Sequence, residues 1–235
     1  MKKHIPNAIT CCNLISGCIA TTLALYGMTP FAFIVIIVGA VFDFFDGMAA
    51  RLLHVSSPIG KELDSLADVV TFGVAPSAML FTYLGHFSHA MPRWVDFAAF
   101  LMAAFSALRL AKFNLDERQT VGFIGLPTPA NALFWSSLIV GWEYEMLVLP
   151  SMPVILFVLM LLSCYLLVSE IPMFALKFKT WGWRGNEVKY IVVLSSVALF
   201  VCRGVAGVAL VRGVTIVVAW YVALSIFVNY RQSPS

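Results

Sequence analysis

The chain has 235 residues, 61% of them hydrophobic and 11% charged, with a net charge of +3 and a mean hydropathy of +0.92. Soluble domains are roughly 45–50% apolar and about 25% charged, so a water-soluble globule is excluded, as are a disordered chain and a disulfide scaffold. A membrane-crossing helix takes about 20 mostly apolar residues, and what lies between the apolar runs here is too short for a soluble domain.

In chain order, apolar runs between breakers predict helices over 8–27, 31–53, 59–84, 94–114, 127–145, 149–170, 188–210 and 213–230. The breaks fall at Gly27 to Pro30, Ser56 to Pro58, Gly85 to Pro92, Asp116 to Pro127, Leu149-Pro150, Pro172 to Glu187, and Gly213. Arg203 and Gly204 interrupt a stretch that reads either as one kinked span or as a span and a turn. Lys2 and Lys3 precede the first run, but Asn7, Asn13 and Ser16 interrupt it and no small-x-small site follows, so it reads as a retained helix rather than a signal peptide. About eight helices is an even count, which puts both termini on one side.

Taking that side as cytoplasmic places Lys2, Lys3, Arg51, Lys61, Arg109, Lys112, Arg118, Lys177, Lys179, Arg184, Lys189 and Arg231 inside. Only Arg93, Arg203 and Arg212 then fall outside, a strong positive-inside bias. No repeat or linker divides the chain, so residues 1–235 read as a single all-α, polytopic transmembrane bundle. The cysteines, Cys11, Cys12, Cys18, Cys164 and Cys202, form no C-x-x-C pair and read as buried thiols.

Acidic residues in apolar spans are costly and usually functional. Four gather in one stretch: Asp43-Phe-Phe-Asp46-Gly47-Met-Ala-Ala50-Arg51, followed by Gly60-Lys-Glu-Leu-Asp64-Ser-Leu-Ala-Asp68. On a helix Asp43, Asp46, Gly47 and Ala50 share one stripe, and Asp64 and Asp68 share another, one turn beyond Gly60. The short turn between makes the two helices antiparallel neighbours with facing acidic stripes. Four clustered carboxylates repel, and they must take up protons, pair with cations, or bind metal. Arg51 and Lys61 cannot balance four anions. All-oxygen donors suit Mg²⁺, Mn²⁺ or Ca²⁺, and two bridged metals would suit phosphoryl chemistry. Gly47, Ala50 and Gly60 clear space beside the acids for a ligand.

The pattern D-x2-D-G-x2-A-R-x8-G-x3-D-x3-D resembles that of the CDP-alcohol phosphatidyltransferase family at every fixed position, with residues 52–59 supplying the spacer. The resemblance implies two divalent cations, Mg²⁺ or Mn²⁺, held by Asp43, Asp46, Asp64 and Asp68, with Asp68 also the base that activates an acceptor hydroxyl. It implies a CDP-diacylglycerol site formed by Asp46, Gly47, Ala50, Arg51 and Gly60, with Asn7 and Thr10 of Ile5-Pro-Asn-Ala-Ile-Thr10 at its cytidine edge. It also implies CMP as product, a homodimer, and a bacterial or archaeal cytoplasmic membrane with the site facing the cytoplasm. Nucleic acid has no place in it.

The core pattern does not name the acceptor. Three further segments resemble the phosphatidylserine synthase branch: Leu63 to Pro76, Arg109-Leu-Ala-Lys-Phe-Asn114, and Phe123-Ile-Gly-Leu-Pro-Thr-Pro129. Residues 169–179 resemble it too, and eight spans rather than six fit it. L-serine is therefore the expected acceptor. Its carboxylate wants a cation, and Arg109 and Lys112, one helical turn apart with Asn114 following, are the candidate serine-binding residues. Those charges are equally ordinary for the inner end of a span, and a phosphorylated acceptor would use them as well.

Four rivals differ in what they require. A phosphatidylglycerophosphate synthase would keep the site and take glycerol 3-phosphate. A prenyltransferase would use two aspartate-rich motifs without the glycine and alanine spacing. An ion-coupled transporter would spread its acids through the depth of the bundle, whereas these cluster at one end. A structural scaffold has no use for the cluster. Elsewhere, His86 and His89 are spaced as a possible metal pair in an outer loop, and Glu143 and Glu145 read as an exposed outer turn. Trp181 and Trp183 with Lys177, Lys179 and Arg184 read as an interfacial segment, and Gly204 to Gly207 as a close helix contact.

Overall fold

The computed structural model describes residues 4–55, 57–87, 92–116, 123–145, 151–173 and 208–232. Its elements in order are α1 (Ile5–Leu25), α2 (Thr29–Leu52), α3 (Pro58–Asp68), a π-helical segment (Val69–Val74), α4 (Ala75–Gly85), a 3-10 segment (Arg93–Phe100), α5 (Leu101–Leu115), β1 (Phe123–Ile124), α6 (Thr128–Glu145), α7 (Met152–Val168), β2 (Pro172–Met173) and α8 (Val208–Gln232). Among the described residues, five helical stretches are long and apolar enough to cross a membrane: Ile5–Leu25, Thr29–Leu52, Pro58–Gly85, Trp94–Leu115 and Ala209–Phe227. Their outward faces carry large exposed apolar side chains such as Ile15, Phe31, Ile34, Phe44 and Phe227. Such a surface suits lipid and not water.

Local chemistry sets the boundaries. Gly27, at φ +74°, turns the chain after α1, and Pro30 is tolerated in the first turn of α2, so that helix begins ahead of the predicted 31. His54 takes a left-handed conformation (φ 51°) beyond α2. Ser57 then caps α3, its Oγ accepting from the Gly60 amide at 3.0 Å, with Pro58 in the first turn. The predicted span 59–84 is continuous from Pro58 to Gly85, with the π turn inside it.

Three expectations need correction. The break at Gly213 is absent: α8 runs through that residue from Val208, and one glycine costs a helix only about 1 kcal/mol. The all-α reading missed a two-residue antiparallel pair, Phe123 with Met173 and Ile124 with Pro172. Gly125 makes it possible. Its φ is +76°, and a Cβ there would lie 2.7 Å from the Leu167 carbonyl oxygen. Finally, Cys11, Cys12 and Cys18 are exposed on the outer face of α1, and only Cys164 of the described cysteines is buried. A thiol is apolar enough for a lipid-facing position as well as for a core. The rest of the predicted span 188–210, Cys202, Gly204 to Gly207 and the Trp181–Trp183 segment lie outside the described residues.

The helix α6 lies at the centre, against α2, α4 and α8, and it owes its place to its composition. Trp135, Ile139, Asn131, Ser136 and Ser137 are fully or almost fully buried, so the polar groups face protein instead of hydrocarbon. Trp135 Nε1 donates to Ser163 Oγ on α7 (2.9 Å), and Ser137 and Thr215 hydroxyls pair across to α8 (2.7 Å).

Candidate active site

The helix α1 packs along α2, α3 and the π segment, and these four pieces build one pocketed end of the bundle. Because α2 is continuous through 29–52, its stripe projects Asp43, Asp46, Gly47 and Ala50 toward that end. The capped start of α3 brings Asp64 and Asp68 in from the other side. One carboxylate oxygen from each of Asp43, Asp64 and Asp68 lies within 4.8 Å of the others. Asp46 stands slightly apart. It is buried at 6% exposure, and Thr10 Oγ1 of α1 donates to its Oδ2 at 2.6 Å.

The three gathered acids fit a hard divalent cation. They offer only oxygen, Asp64 Oδ1 is buried without a hydrogen-bond partner, and like charges so close need a counter-charge. Arg109 reaches Asp68 alone with one charge against three, and Lys61 and Arg51 do not supply the rest. Lys61 Nζ donates to the Asn114 backbone carbonyl at 3.0 Å, and Arg51 is exposed on α2. Arg51, one helical turn beyond Gly47, is not among the residues that line the pocket beside these acids.

Beside the acids opens a pocket of about 270 Å³ lined by Asn7, Thr10, Asp46, Gly47, Ala50 and Gly60, together with Pro6, Val55, Ser57, Lys61 and Asp64. Gly47 keeps it open, because a Cβ there would meet nothing within 4 Å. Gly60 serves a tighter contact: its Cβ would lie 3.0 Å from Ser57 Oγ and 3.1 Å from Asn7 Oδ1.

On the far side of Asp68, α5 is tied to α3 by Asn114 Nδ2 donating to Ser65 Oγ (2.8 Å). Asn114 is thus occupied in joining helices. Arg109 is 6% exposed, packs over the Phe113 ring at 5.7 Å, and is close enough to Asp68 to interact electrostatically. Its Nε is buried without a hydrogen-bond partner. A second, smaller cavity of about 40 Å³ is lined by Arg109 and the exposed Lys112 with Asp116, Ile124 and residues 167–170.

Sequence reasoning missed one polar residue in the site. Asn13 of α1 is fully buried and its Nδ2 donates to Asp68 Oδ1 at 3.2 Å. The signal was present, since Asn7, Thr10 and Asn13 recur every three residues along α1, and a polar stripe on an otherwise apolar helix points inward. Away from the site, Glu143 is not in an exposed turn: it lies within α6, half-buried, and accepts a hydrogen bond from Thr29 Oγ1. The side chain of Glu145 lies outside the described residues, as does His89, while His86 stands edge-on to Tyr83 at 6.0 Å.

The sequence model of a family described as CDP-alcohol phosphatidyltransferase matches residues 3–229. A CDP-diacylglycerol–serine O-phosphatidyltransferase of Bacillus subtilis is 41% identical over 127 residues, which cover 54% of this chain and 70% of that protein. Proteins of the same description from Helicobacter pylori and Methanocaldococcus jannaschii are 35% and 36% identical over 130 and 129 residues. Those alignments cover 54% and 55% of this chain, and 54% and 57% of the relatives, so the likeness spans little more than half of either partner.

Proposed function

We propose, on the premise that this chain belongs to the CDP-alcohol phosphatidyltransferase family, that it moves the phosphatidyl group of CDP-diacylglycerol to the hydroxyl of L-serine, giving phosphatidylserine and CMP. The observation that carries this reading is the convergence of Asp43, Asp64 and Asp68 beside the open pocket that Gly47 and Asp46 line.

In this reading the cytidine diphosphate enters the 270 Å³ pocket between Asn7, Gly47, Ala50 and Gly60, with its acyl chains left in the bilayer. Asp43, Asp64 and Asp68, with Asp46 at the edge, would hold two divalent cations, Mg²⁺ or Mn²⁺. When bound, such cations offset charge on the diphosphate and on the departing CMP. Asp68 faces both the acid cluster and Arg109, which suits it to take the proton of the acceptor hydroxyl. A serine hydroxyl is a weak acid, so the carboxylate accepts its proton only as the oxygen attacks the lipid-side phosphorus. The P–O bond to CMP breaks as the new one forms. Arg109 would receive the serine carboxylate through its guanidinium fork, and burial raises the value of that contact. Lys112 adds charge at the rim. Asn114 contributes by holding α5 against α3. The whole chain acts as one membrane domain and as a homodimer, with this end toward the cytoplasm, as the distribution of Lys and Arg supports.

The test is release of CMP from CDP-diacylglycerol in detergent micelles with Mg²⁺ or Mn²⁺, offering serine, glycerol 3-phosphate, inositol phosphate and choline separately. Serine-dependent release, lost in Asp68→Asn, is expected. Release only with glycerol 3-phosphate would overturn the acceptor and keep the chemistry. Arg109→Met is expected to raise KM for serine on the order of tenfold or more and to leave KM for CDP-diacylglycerol unchanged. Exchange of labelled CMP into CDP-diacylglycerol without serine would replace direct displacement by a covalent route.

A further inference from the structure

Asn13 is an unusual residue to find where it is. It is fully buried in α1, and its Oδ1 has no hydrogen-bond partner. An unsatisfied buried acceptor destabilises a protein, so packing alone would favour an apolar side chain here. Its other end is used: Nδ2 donates to Asp68 Oδ1 at 3.2 Å. Its backbone is used as well, since Thr71 Oγ1 donates to the Asn13 carbonyl at 3.0 Å.

Thr71 belongs to the π segment that begins immediately after Asp68, so one residue of α1 touches the same span twice, once at the carboxylate and once just past it. Two glycines lock that contact. A Cβ on Gly17 of α1 would lie 2.5 Å from Thr71 Oγ1, and one on Gly39 of α2 would lie 2.6 Å from Thr71 Cγ2. The Thr71 side chain therefore fills the space where α1 and α2 both lack a side chain, and its hydroxyl is directed at Asn13. π turns inside α-helices are frequent at functional sites, where they re-aim the residues around them.

We propose that Asn13, clasped by Thr71, is a positioning residue for Asp68: its Nδ2 binds one carboxylate oxygen and leaves the other directed at the reacting hydroxyl. The proposal rests on the reading of Asp68 as proton acceptor. It assigns α1 a part in turnover beyond lining the nucleotide pocket. Thr71, which is not among the residues lining the pocket and whose hydroxyl donates to the Asn13 carbonyl, acts through Asn13.

The test uses the full chain in detergent, measuring kcat, KM for CDP-diacylglycerol and thermal midpoint with whichever acceptor the unmodified protein uses. Asn13→Ala is expected to lower kcat about 30-fold, within the range for residues that orient a ligand or base, with KM changed less than about twofold. Thr71→Val, which keeps the shape and loses the hydroxyl, is expected to lower kcat about fivefold, and Thr71→Ser to restore most of it. The double variant Asn13→Ala, Thr71→Val should be no slower than Asn13→Ala alone, because both act through one contact. An unchanged kcat in Asn13→Ala, equal activity of the Val and Ser variants at Thr71, or kcat losses that simply follow the thermal midpoint would overturn the proposal. Failure of the underlying reading is seen separately: if the unmodified protein releases no CMP with any acceptor, the proton acceptor has no reaction and the positioning role falls with it.

Discussion

The two ends of α2 make the same local bond and use it differently. Near one end, Thr10 of α1 donates to Asp46; at the other, Thr29 of α2 donates to Glu143 of α6. Along α2 the two places are about 25 Å apart. Glu143 sits in aromatic company, with Tyr83 packed against Trp142, His86 and Phe87 at ring distances of 6.5, 6.0 and 5.6 Å. Asp46 has three more carboxylates and an open pocket beside it. Partial burial and a threonine hydrogen bond, which Asp46 and Glu143 share, therefore do not by themselves mark a site. What distinguishes the site is the excess of like charge together with space for a ligand, since the first demands a cation and the second admits a substrate.

The comparison can be broken most sharply at the acid cluster. Replacing Asp43 or Asp64 by Asn is expected to cut turnover on the order of 10³-fold, by removing charge that holds divalent cations. Chelation with EDTA should abolish CMP release, and added Mg²⁺ or Mn²⁺ should restore it. Survival of activity after both treatments would leave the cluster no more special than Glu143. Next in size is the pocket: Gly47→Leu places a side chain in open space, so KM for CDP-diacylglycerol should rise about tenfold with the thermal midpoint unchanged. A fall in the midpoint instead would mean the space is packing and not a ligand site.

Smaller effects sharpen the contrast from the structural side. Gly17→Ala forces a methyl group against Thr71 and should cost about 1–3 kcal/mol of stability, read as a lower midpoint in detergent. At the Glu143 end, Thr29→Val removes the donor and should cost about 1 kcal/mol. Glu143→Gln, which keeps an acceptor for Thr29, should leave kcat within about twofold. Equal losses of turnover from Glu143→Gln and Asp64→Asn would erase the distinction between the two ends.

Much of this was legible in the chain. Long apolar runs mark the spans because hydrocarbon leaves a backbone no partner but itself. The stripe Asp43, Asp46, Gly47, Ala50 needs only the helical period to be placed on one face, and Asp64 with Asp68 likewise. Glu143 was misread because its position beside a break looks like an end of a span, while its burial depends on Thr29, which is 114 residues away in sequence. The short β1–β2 pair was invisible for a similar reason: two-residue strands carry no periodicity, and Gly125 reveals its purpose only against the carbonyls of Leu167 and Ser169.

The sequence by itself therefore determined a helical membrane bundle, one acid-rich end, and the chemistry of oxygen donors at fixed helical spacing, because these depend on composition and local period. The tertiary structure alone decided which acids converge and which stands apart, that Arg109 lies near Asp68, and that α1 supplies Thr10 and Asn13 to hold two of the aspartates. Those outcomes depend on how helices distant in sequence cross, and the crossings are set by side-chain volumes, such as the missing Cβ atoms of Gly17 and Gly39 around Thr71, that act only once the helices meet.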